Sequence, residues 1–189
     1  ENKDFILKAG NLTGNNDYYR SGSISERAEE INELIRDEDV KCIISTIGGM
    51  NSNSLLPYID YNALKKHPKI IIGYSDMTAI LFAIFQKTGI PTFYGPALIA
   101  SFGELEPFNE MTYRYFEDII INKQLPYTYR KPEIWTDEYI DWEQQGKSKK
   151  GNNNTWITVN EGYVEGRIII GNLSTLTGIW GSDYCPDIE

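Results

Sequence analysis

The residues best suited to carry chemistry are Gly73-Tyr74-Ser75-Asp76, which stand between an apolar run and a helix-like segment. A serine on a tight strand-to-helix turn projects its hydroxyl above the sheet, and the glycine two residues earlier leaves room for the crowded backbone. The helix N-terminus behind such a serine favours developing negative charge. The pattern predicts that Ser75 is a nucleophile, although Met77 stands where the usual motif has a small residue. The alternative is that Ser75 caps the helix.

A glycine pair, Gly48-Gly49, ends the preceding apolar run and is the second candidate for the site. The backbone N–H of Gly49, together with that of Asp76, would bind the oxyanion of an acyl-transfer reaction, whereas the alternative is an ordinary glycine turn. We interpret the Asp76 side chain as a poor general base, because the side chain that follows the nucleophile on such a turn points elsewhere. Lys69 is excluded as a base, since it begins a strand six residues before Ser75 and strands rise about 3.3 Å per residue.

Alternating strand and helix signals predict the elements that position these residues. The segments are apolar runs of strand length at 40–47, 70–72 and 90–94, and helical patterns after Ser23, at 61–66 and at 77–87. Ser23 and Glu26 have the spacing of a capping box, and Gly89 closes the last helix. The order of the elements predicts a right-handed parallel α/β sheet, in which ligands bind beyond the carboxyl ends of the strands.

The second half of the chain has a different character. The predicted elements there are a helix at 111–121, a polar loop at 131–154, and strands at 156–159 and 167–170. We therefore expect three parts: a nucleophile-bearing α/β domain over residues 1–125, a linker or insertion over 126–162, and the beginning of a C-terminal domain over 163–189. Because the pattern starts in mid-fold and ends without a closing element, we expect the chain to be truncated at both ends.

Composition limits the classes of function. The chain has 189 residues, 41% of them apolar, and no run approaches the roughly 20 apolar residues that span a bilayer. A formal charge of −9 repels a phosphate backbone, so neither nucleic acid nor a membrane is an expected partner. With only Cys42, Cys185 and one histidine, the sequence predicts no metal site, no cofactor and two reduced thiols in a cytoplasmic protein.

Several segments together resemble the LD-carboxypeptidase family of serine peptidases, S66. They are residues 47–61, 68–69, 72–79, 94–96, 165–167 and 170–173. The resemblance implies a parallel-sheet N-terminal domain of Rossmann or flavodoxin type, followed by the start of a mainly β C-terminal domain. It also implies a Ser-Glu-His triad that hydrolyses an amide bond next to a free carboxylate, with Ser75 as nucleophile and the N–H groups of Gly49 and Asp76 as oxyanion donors.

The sequence departs from this family in its histidines. Its only histidine, His67, precedes Pro68 and is interpreted as a surface residue. The resemblance implies that the triad glutamate and histidine are not in this chain. Because a serine near its ordinary pKa is a weak nucleophile without a base, we expect the 189 residues alone to be inactive.

Within the family, the tryptophan-bearing insertion is most similar to the microcin-immunity branch, which implies an aminoacyl-nucleotide toxin as substrate. Trp142 is the first candidate for stacking on the base and Trp135 the second, and their alternative role is to pack the loop. Asn172 either lines the substrate cleft or turns the chain.

The alternative functions are a murein tetrapeptide LD-carboxypeptidase, which takes a small peptide, and a noncatalytic binding module. The resemblance also implies a homodimer.

Overall fold

Three short parallel strands form the central sheet. A computed structural model describes residues 6–144 and 146–187. Its parallel strands, in the spatial order β1-β2-β3, are β1 (Cys42–Ile44), β2 (Ile70–Gly73) and β3 (Phe93–Tyr94). The register pairs Cys42 with Ile70 and Ile72 with Phe93, so the carboxyl ends of all three strands meet at one edge. The three predicted strands are confirmed, with β1 and β3 shorter than their apolar runs.

Three helices alternate with these strands, as predicted. They are α1 (Ile24–Arg36), α2 (Tyr61–Lys66) and α3 (Thr78–Thr88). At the start of α1 the Ser23 hydroxyl accepts the Glu26 N–H, and the Glu26 carboxylate accepts the Ser23 N–H, which completes the capping box. The Asp60 carboxylate accepts the Ala63 N–H at 2.9 Å and caps α2. Gly89, with a φ of 75°, closes α3 in the left-handed conformation.

Helix α3 is the centre of the hydrophobic core. Every residue at positions 78–84 is buried, as expected for a helix that is apolar all round. Helix α1 instead buries one face, with Ala28 and Ile35 inside and Glu29 and Glu33 exposed. Because α3 is enclosed on all sides, the turn at its N-terminus, where Ser75 lies, has a rigid base.

The amino-terminal edge of the sheet has separate polar contacts. Lys69 is buried there, and its ammonium donates to the carbonyl oxygens of Asp37 at 2.6 Å and Val40 at 2.7 Å. His67 ends α2 and is exposed. Both residues precede β2 whereas Ser75 follows it, so the Lys69 ammonium is held at the edge remote from Ser75, in agreement with its exclusion as a base.

Contacts divide the chain into two compact units. The first holds the described residues up to Ala97 and those from Ile170 onward, and the second runs from Leu98 to Ile169. Two elements of the second unit are π-helical turns, Leu98–Phe102 and Glu117–Ile121, which stand on either side of α4 (Phe108–Phe116). The others are a 3-10 turn (Trp142–Gln144) and an antiparallel pair, β4 (Ile134–Trp135) with β5 (Asn152–Asn153). The segment predicted as a loop at 131–154 therefore contains a short strand pair. The domain boundaries after residues 125 and 162 remain predictions.

Two strands predicted from the sequence are not formed. Residues 156–159 and 167–170 belong to no helix or strand, so the prediction there is wrong. In the described ranges no neighbouring strand pairs with them, and their apolar side chains are exposed, from 37% at Ile169 to 89% at Val159. A strand needs a neighbour to satisfy its backbone N–H and C=O groups, and apolar composition alone does not supply one.

One α-helix of the described residues was not predicted from the sequence. It is α5 (Leu173–Thr177), and its N-cap is Asn172, whose side-chain oxygen accepts the Thr175 N–H at 3.0 Å. Five residues are too few for a 3.6-residue periodicity to be recognised. The Asn172 side chain is therefore part of a helix cap, in line with the chain-turning alternative, while a role in a substrate cleft stays a prediction.

We expect Ser23→Ala to lower the free energy of unfolding by about 1 kcal/mol, because it removes the acceptor of the Glu26 N–H at the start of α1. Chemical denaturation followed by circular dichroism measures the change. Ser21→Ala, in the loop before the cap, is the matched control and should stay within about 0.5 kcal/mol of the parent. Equal effects of the two substitutions would contradict the role of the cap.

Candidate active site

Ser75 occupies a strained turn between β2 and α3. Its φ is 56°, in the left-handed region that non-glycine residues seldom adopt. A 3-10 turn (Ser75–Met77) follows, and α3 begins at the next residue. Such backbone strain persists only where the surroundings enforce it, and it concentrates at functional sites. The turn thus has the geometry that the Gly-x-Ser pattern predicts.

Hydrogen bonds fix the backbone of Ser75 on both sides. Its N–H donates to the Tyr94 hydroxyl at 3.0 Å, and its carbonyl oxygen accepts from the Thr78 hydroxyl at 2.7 Å. The N-cap of the 3-10 turn is Tyr74, which makes no side-chain cap, and that of α3 is Met77. The half-buried Ser75 hydroxyl is therefore not a helix cap, which was the alternative to a nucleophile.

The glycine pair packs directly against Ser75 and Asp76. A β carbon added to Gly48 would stand 2.9 Å from the Ser75 Cβ and 3.1 Å from its Oγ. A β carbon on Gly49 would stand 3.2 Å from Oδ2 of Asp76. The structure thus brings together Gly49, Ser75 and Asp76, the three residues predicted to attack the substrate and hold its oxyanion. Their catalytic roles remain predictions.

The backbone N–H of Asp76 is suited to bind an anion. It lies in the first turn of a helix, where N–H groups have no intrahelical acceptor and the helix dipole favours negative charge. Gly49 is exposed, and its N–H has no hydrogen-bond acceptor among the described residues. Two N–H donors near a serine hydroxyl can stabilise the oxyanion of a tetrahedral intermediate.

Asn172 is connected to Ser75 through one side chain. The Asn172 N–H donates to the Thr78 hydroxyl at 2.8 Å, and that hydroxyl donates to the Ser75 carbonyl oxygen at 2.7 Å. Thr78 is fully buried, so neither contact competes with water. A residue 97 positions later in the sequence is thereby held at the turn that carries Ser75.

The two candidate tryptophans belong to the second unit. Trp142 lies in a 3-10 turn with 38% exposure, and the Lys149 ammonium stands 5.6 Å from its ring centroid. Trp135 lies on β4, opposite Asn152, with 47% exposure. Both rings present open surface, and Trp142 also makes a cation–π contact. Their role in stacking on a base remains a prediction.

Four side chains of the site were missed in the sequence, and Thr78, described above, is one of them. The Tyr94 hydroxyl holds the Ser75 N–H, and the Asp76 carboxylate accepts N–H groups from Asn51 and Ser52. Burial lowers the pKa of Arg27, and its attraction to the Asp76 charge opposes that shift. Only Tyr94 had a sequence signal, because it ends a strand at the edge where the other site residues lie.

Burial raises the pKa of both cysteine thiols, so neither is an activated nucleophile. Cys42 and Cys185 are free thiols, and burial raises the pKa of Cys42 to about 11, so its thiolate is scarce at neutral pH. In the part of the chain that the structure describes, no three His, Cys, Asp or Glu side chains converge as metal ligands do. The described helices include none with the length and hydropathy to cross a bilayer.

Comparison with known proteins identifies the family. The profile of the LD-carboxypeptidase N-terminal domain, S66, matches residues 1–95, which include Gly49, Ser75 and Asp76. The chain belongs to the LD-carboxypeptidase family. The resemblance seen in the residues is confirmed, and the residues that meet at the edge of the sheet lie in the matched domain.

Within the LD-carboxypeptidase family the chain is similar to microcin-immunity proteins. The microcin C7 self-immunity protein MccF of Escherichia coli is 55% identical over 191 residues, which cover 100% of this chain and 56% of MccF. The wild-type MccF structure matches with a TM-score of 0.90 and 56% identity, covering 95% of this chain and 54% of that one. An MccF-like protein from Bacillus anthracis has a TM-score of 0.79 at 37% identity, covering 92% and 51%. The α/β fold is thereby confirmed.

A more distant relative bears on the alternative function. A Bacillus subtilis protein named "Probable murein peptide carboxypeptidase" is 29% identical over 180 residues, covering 94% of this chain and 49% of that protein. The chain therefore spans about half the length of these relatives. MccF itself has been solved with glutamyl sulfamoyl guanosine and aspartyl sulfamoyl adenosine, and a tryptophan-to-phenylalanine variant of it with adenosine monophosphate.

We expect Gly48→Ala to lower the free energy of unfolding by about 1–3 kcal/mol, since its β carbon would overlap the Ser75 side chain. Urea denaturation measures the loss. Gly162→Ala is the control, because a β carbon at that exposed position meets no atom within 4 Å. If Gly48→Ala is as stable as the control, the close packing of the glycine pair on Ser75 is wrong.

Proposed function

We propose that this chain is the nucleophile-bearing part of a serine carboxypeptidase-like hydrolase that cleaves an amide bond next to a free carboxylate. The observation that carries the proposal is the left-handed backbone of Ser75 at the end of β2, with Gly48 packed on its side chain. A serine held in such a turn and not used as a cap has its hydroxyl available for attack. Membership of the LD-carboxypeptidase family supports the same reaction.

The reaction follows from the positions of the donors. Ser75 Oγ attacks the carbonyl carbon of the scissile amide while a general base takes its proton. The oxyanion accepts hydrogen bonds from the N–H groups of Gly49 and Asp76. Each of these bonds stabilises the transition state by roughly 3 kcal/mol. The base then protonates the leaving amine, the C–N bond breaks, and water hydrolyses the acyl-enzyme by the same route.

The general base comes from outside this chain in our proposal. His67, the one histidine of the sequence, precedes β2, whereas Ser75 follows it. The four residues of β2 separate them by about 13 Å at 3.3 Å per residue, beyond hydrogen-bond reach. The whole protein would supply the glutamate and histidine of a Ser-Glu-His triad, in keeping with relatives about twice as long.

The proposed substrate is an aminoacyl-nucleotide toxin, as for a microcin-immunity protein. The support is the 55% identity to MccF, whose solved complexes contain aminoacyl sulfamoyl nucleosides. In this chain Trp142 is the proposed platform for the base, with Trp135 second, since base–aromatic stacking contributes about 1–3 kcal/mol. We further propose that the protein acts in the cytoplasm as a homodimer.

A murein tetrapeptide is the second candidate substrate. The observation that favours it is a relative named for murein peptides. The chain is 29% identical to that relative over 94% of its own length. In that case the second unit would contact a peptide stem instead of a base. A noncatalytic binding module would release neither product. Measuring release of an adenosine-linked product and of terminal D-Ala by the whole protein separates the three functions.

We expect Ser75→Ala in the whole protein to abolish turnover, because the hydroxyls of Tyr94 and Thr78 at this turn are used to hold the Ser75 backbone and cannot replace the nucleophile. Product release is measured by chromatography, and chemical denaturation should show the unfolding free energy unchanged within about 0.5 kcal/mol. Ser21→Ala is the matched control and should retain full activity. Activity that survives Ser75→Ala in a folded protein would remove Ser75 from the mechanism.

We expect Trp142→Ala to raise KM for an aminoacyl-adenosine substrate about 10- to 100-fold, the equivalent of one lost stacking contact. Release of D-Ala from a murein peptide should not change. Trp156→Ala, which removes an indole that is 64% exposed, is the control. An unchanged KM would assign Trp142 to loop packing, and the same measurement would then be made on Trp135→Ala.

A further inference from the structure

The Asp76 carboxylate makes contacts that the proposed reaction does not use. Its Oδ2 accepts two backbone N–H groups, from Asn51 and from Ser52, both at 2.8 Å. The residue is only 5% exposed. Hydrogen bonds to a carboxylate are shorter and stronger than neutral ones, and burial protects them from competition with water.

The two N–H groups begin the segment that follows the glycine pair. A 3-10 helix (Ser52–Tyr58) starts there, and its N-cap, Asn51, makes no side-chain cap. The Asp76 carboxylate therefore takes the place of a cap, although it comes from 24 residues further along the chain. The same Oδ2 is the atom that a β carbon on Gly49 would meet at 3.2 Å.

A cation lies within electrostatic range of this carboxylate. The Arg27 guanidinium of α1 is attracted to Asp76, and its Nη1 is buried with no hydrogen-bond partner among the described residues. The guanidinium thus supplies positive charge near the carboxylate without occupying its oxygens. Oδ2 stays free to accept both N–H groups.

We propose that the Asp76 carboxylate is a positioning residue for the oxyanion site, because it ties the segment from Gly48 to Ser52 to the turn that carries Ser75. The inference rests on the proposed function. Asp76 then has two roles. Its backbone N–H faces the oxyanion, and its side chain holds the neighbouring connection, which carries the Gly49 N–H. Oxyanion donors must be held within about 0.5 Å of their working positions, which a free glycine turn does not ensure.

The test compares Asp76→Ala and Asp76→Asn in the whole protein. Asp76→Ala frees the glycine turn, so kcat should fall about 100-fold, the loss seen when one oxyanion donor is removed, with KM within about twofold. Asp76→Asn retains an oxygen that can accept both N–H groups and should restore kcat to within about tenfold of the parent. This rescue distinguishes positioning from a need for the charge itself.

Asp60→Asn is the matched control, since Asp60 is also a carboxylate that accepts a backbone N–H, at the start of α2. It should lower stability without changing kcat. An unchanged kcat in folded Asp76→Ala would overturn the inference. If Asp76→Ala does not fold, the Asn variant decides: a kcat within about tenfold of the parent at constant KM supports positioning, and a larger loss overturns it, because that loss would show that the charge itself is needed.

Hydrogen exchange separates this inference from the proposed function. In Asp76→Ala the amides of Asn51 and Ser52 should exchange at least about tenfold faster, while the Ala63 amide, capped by Asp60, should not change. If the parent protein hydrolyses neither substrate, the proposed function fails. The exchange rates then test by themselves whether the Asp76 carboxylate positions the segment that contains Asn51 and Ser52. Unchanged exchange at Asn51 and Ser52 would overturn the inference whatever the activity.

Discussion

The left-handed backbone of Ser75 is the constraint on which the rest of the site depends. Such a conformation costs a non-glycine residue on the order of 1–3 kcal/mol, so neighbouring contacts must maintain it. The Tyr94 hydroxyl accepts the Ser75 N–H from the adjacent strand, and the Thr78 hydroxyl donates to the Ser75 carbonyl from the first turn of α3. These contacts bind the turn to the sheet and to the helix through the Ser75 backbone. The serine hydroxyl is therefore not needed to hold the turn.

The burial of α3 makes these contacts effective. Thr78 is fully buried, and the six residues that follow it are buried as well, so the helix start cannot shift without disturbing the core. The same Thr78 hydroxyl accepts the Asn172 N–H. The chain therefore returns, after its second unit, to the turn that carries Ser75, and the N-cap of α5 is anchored there.

The Asp76 carboxylate extends this arrangement to the glycine turn. Gly48 has no side chain where Ser75 needs space, and the N–H groups of Asn51 and Ser52 bind the carboxylate. The candidate oxyanion donors thus come from two connections at one sheet edge that are bonded to each other. In a parallel sheet this edge is where strand ends and helix starts meet, so few residues suffice to assemble the site.

Local patterns in the sequence determined the elements that need no distant partner. The capping box at Ser23 and the closing Gly89 were predictable because residues within four positions fix each of them. The Gly-x-Ser turn was predictable for the same reason. The three apolar strands were predictable because helical patterns alternate with them, as in a parallel α/β sheet. The strands expected at 156–159 and 167–170 failed, since pairing depends on a neighbour that apolar composition does not specify. Only the tertiary structure decided that the Asp76 carboxylate meets Asn51 and Ser52 and that Tyr94 holds Ser75, because those contacts join residues 19 to 25 positions apart, brought together by the parallel order of the strands.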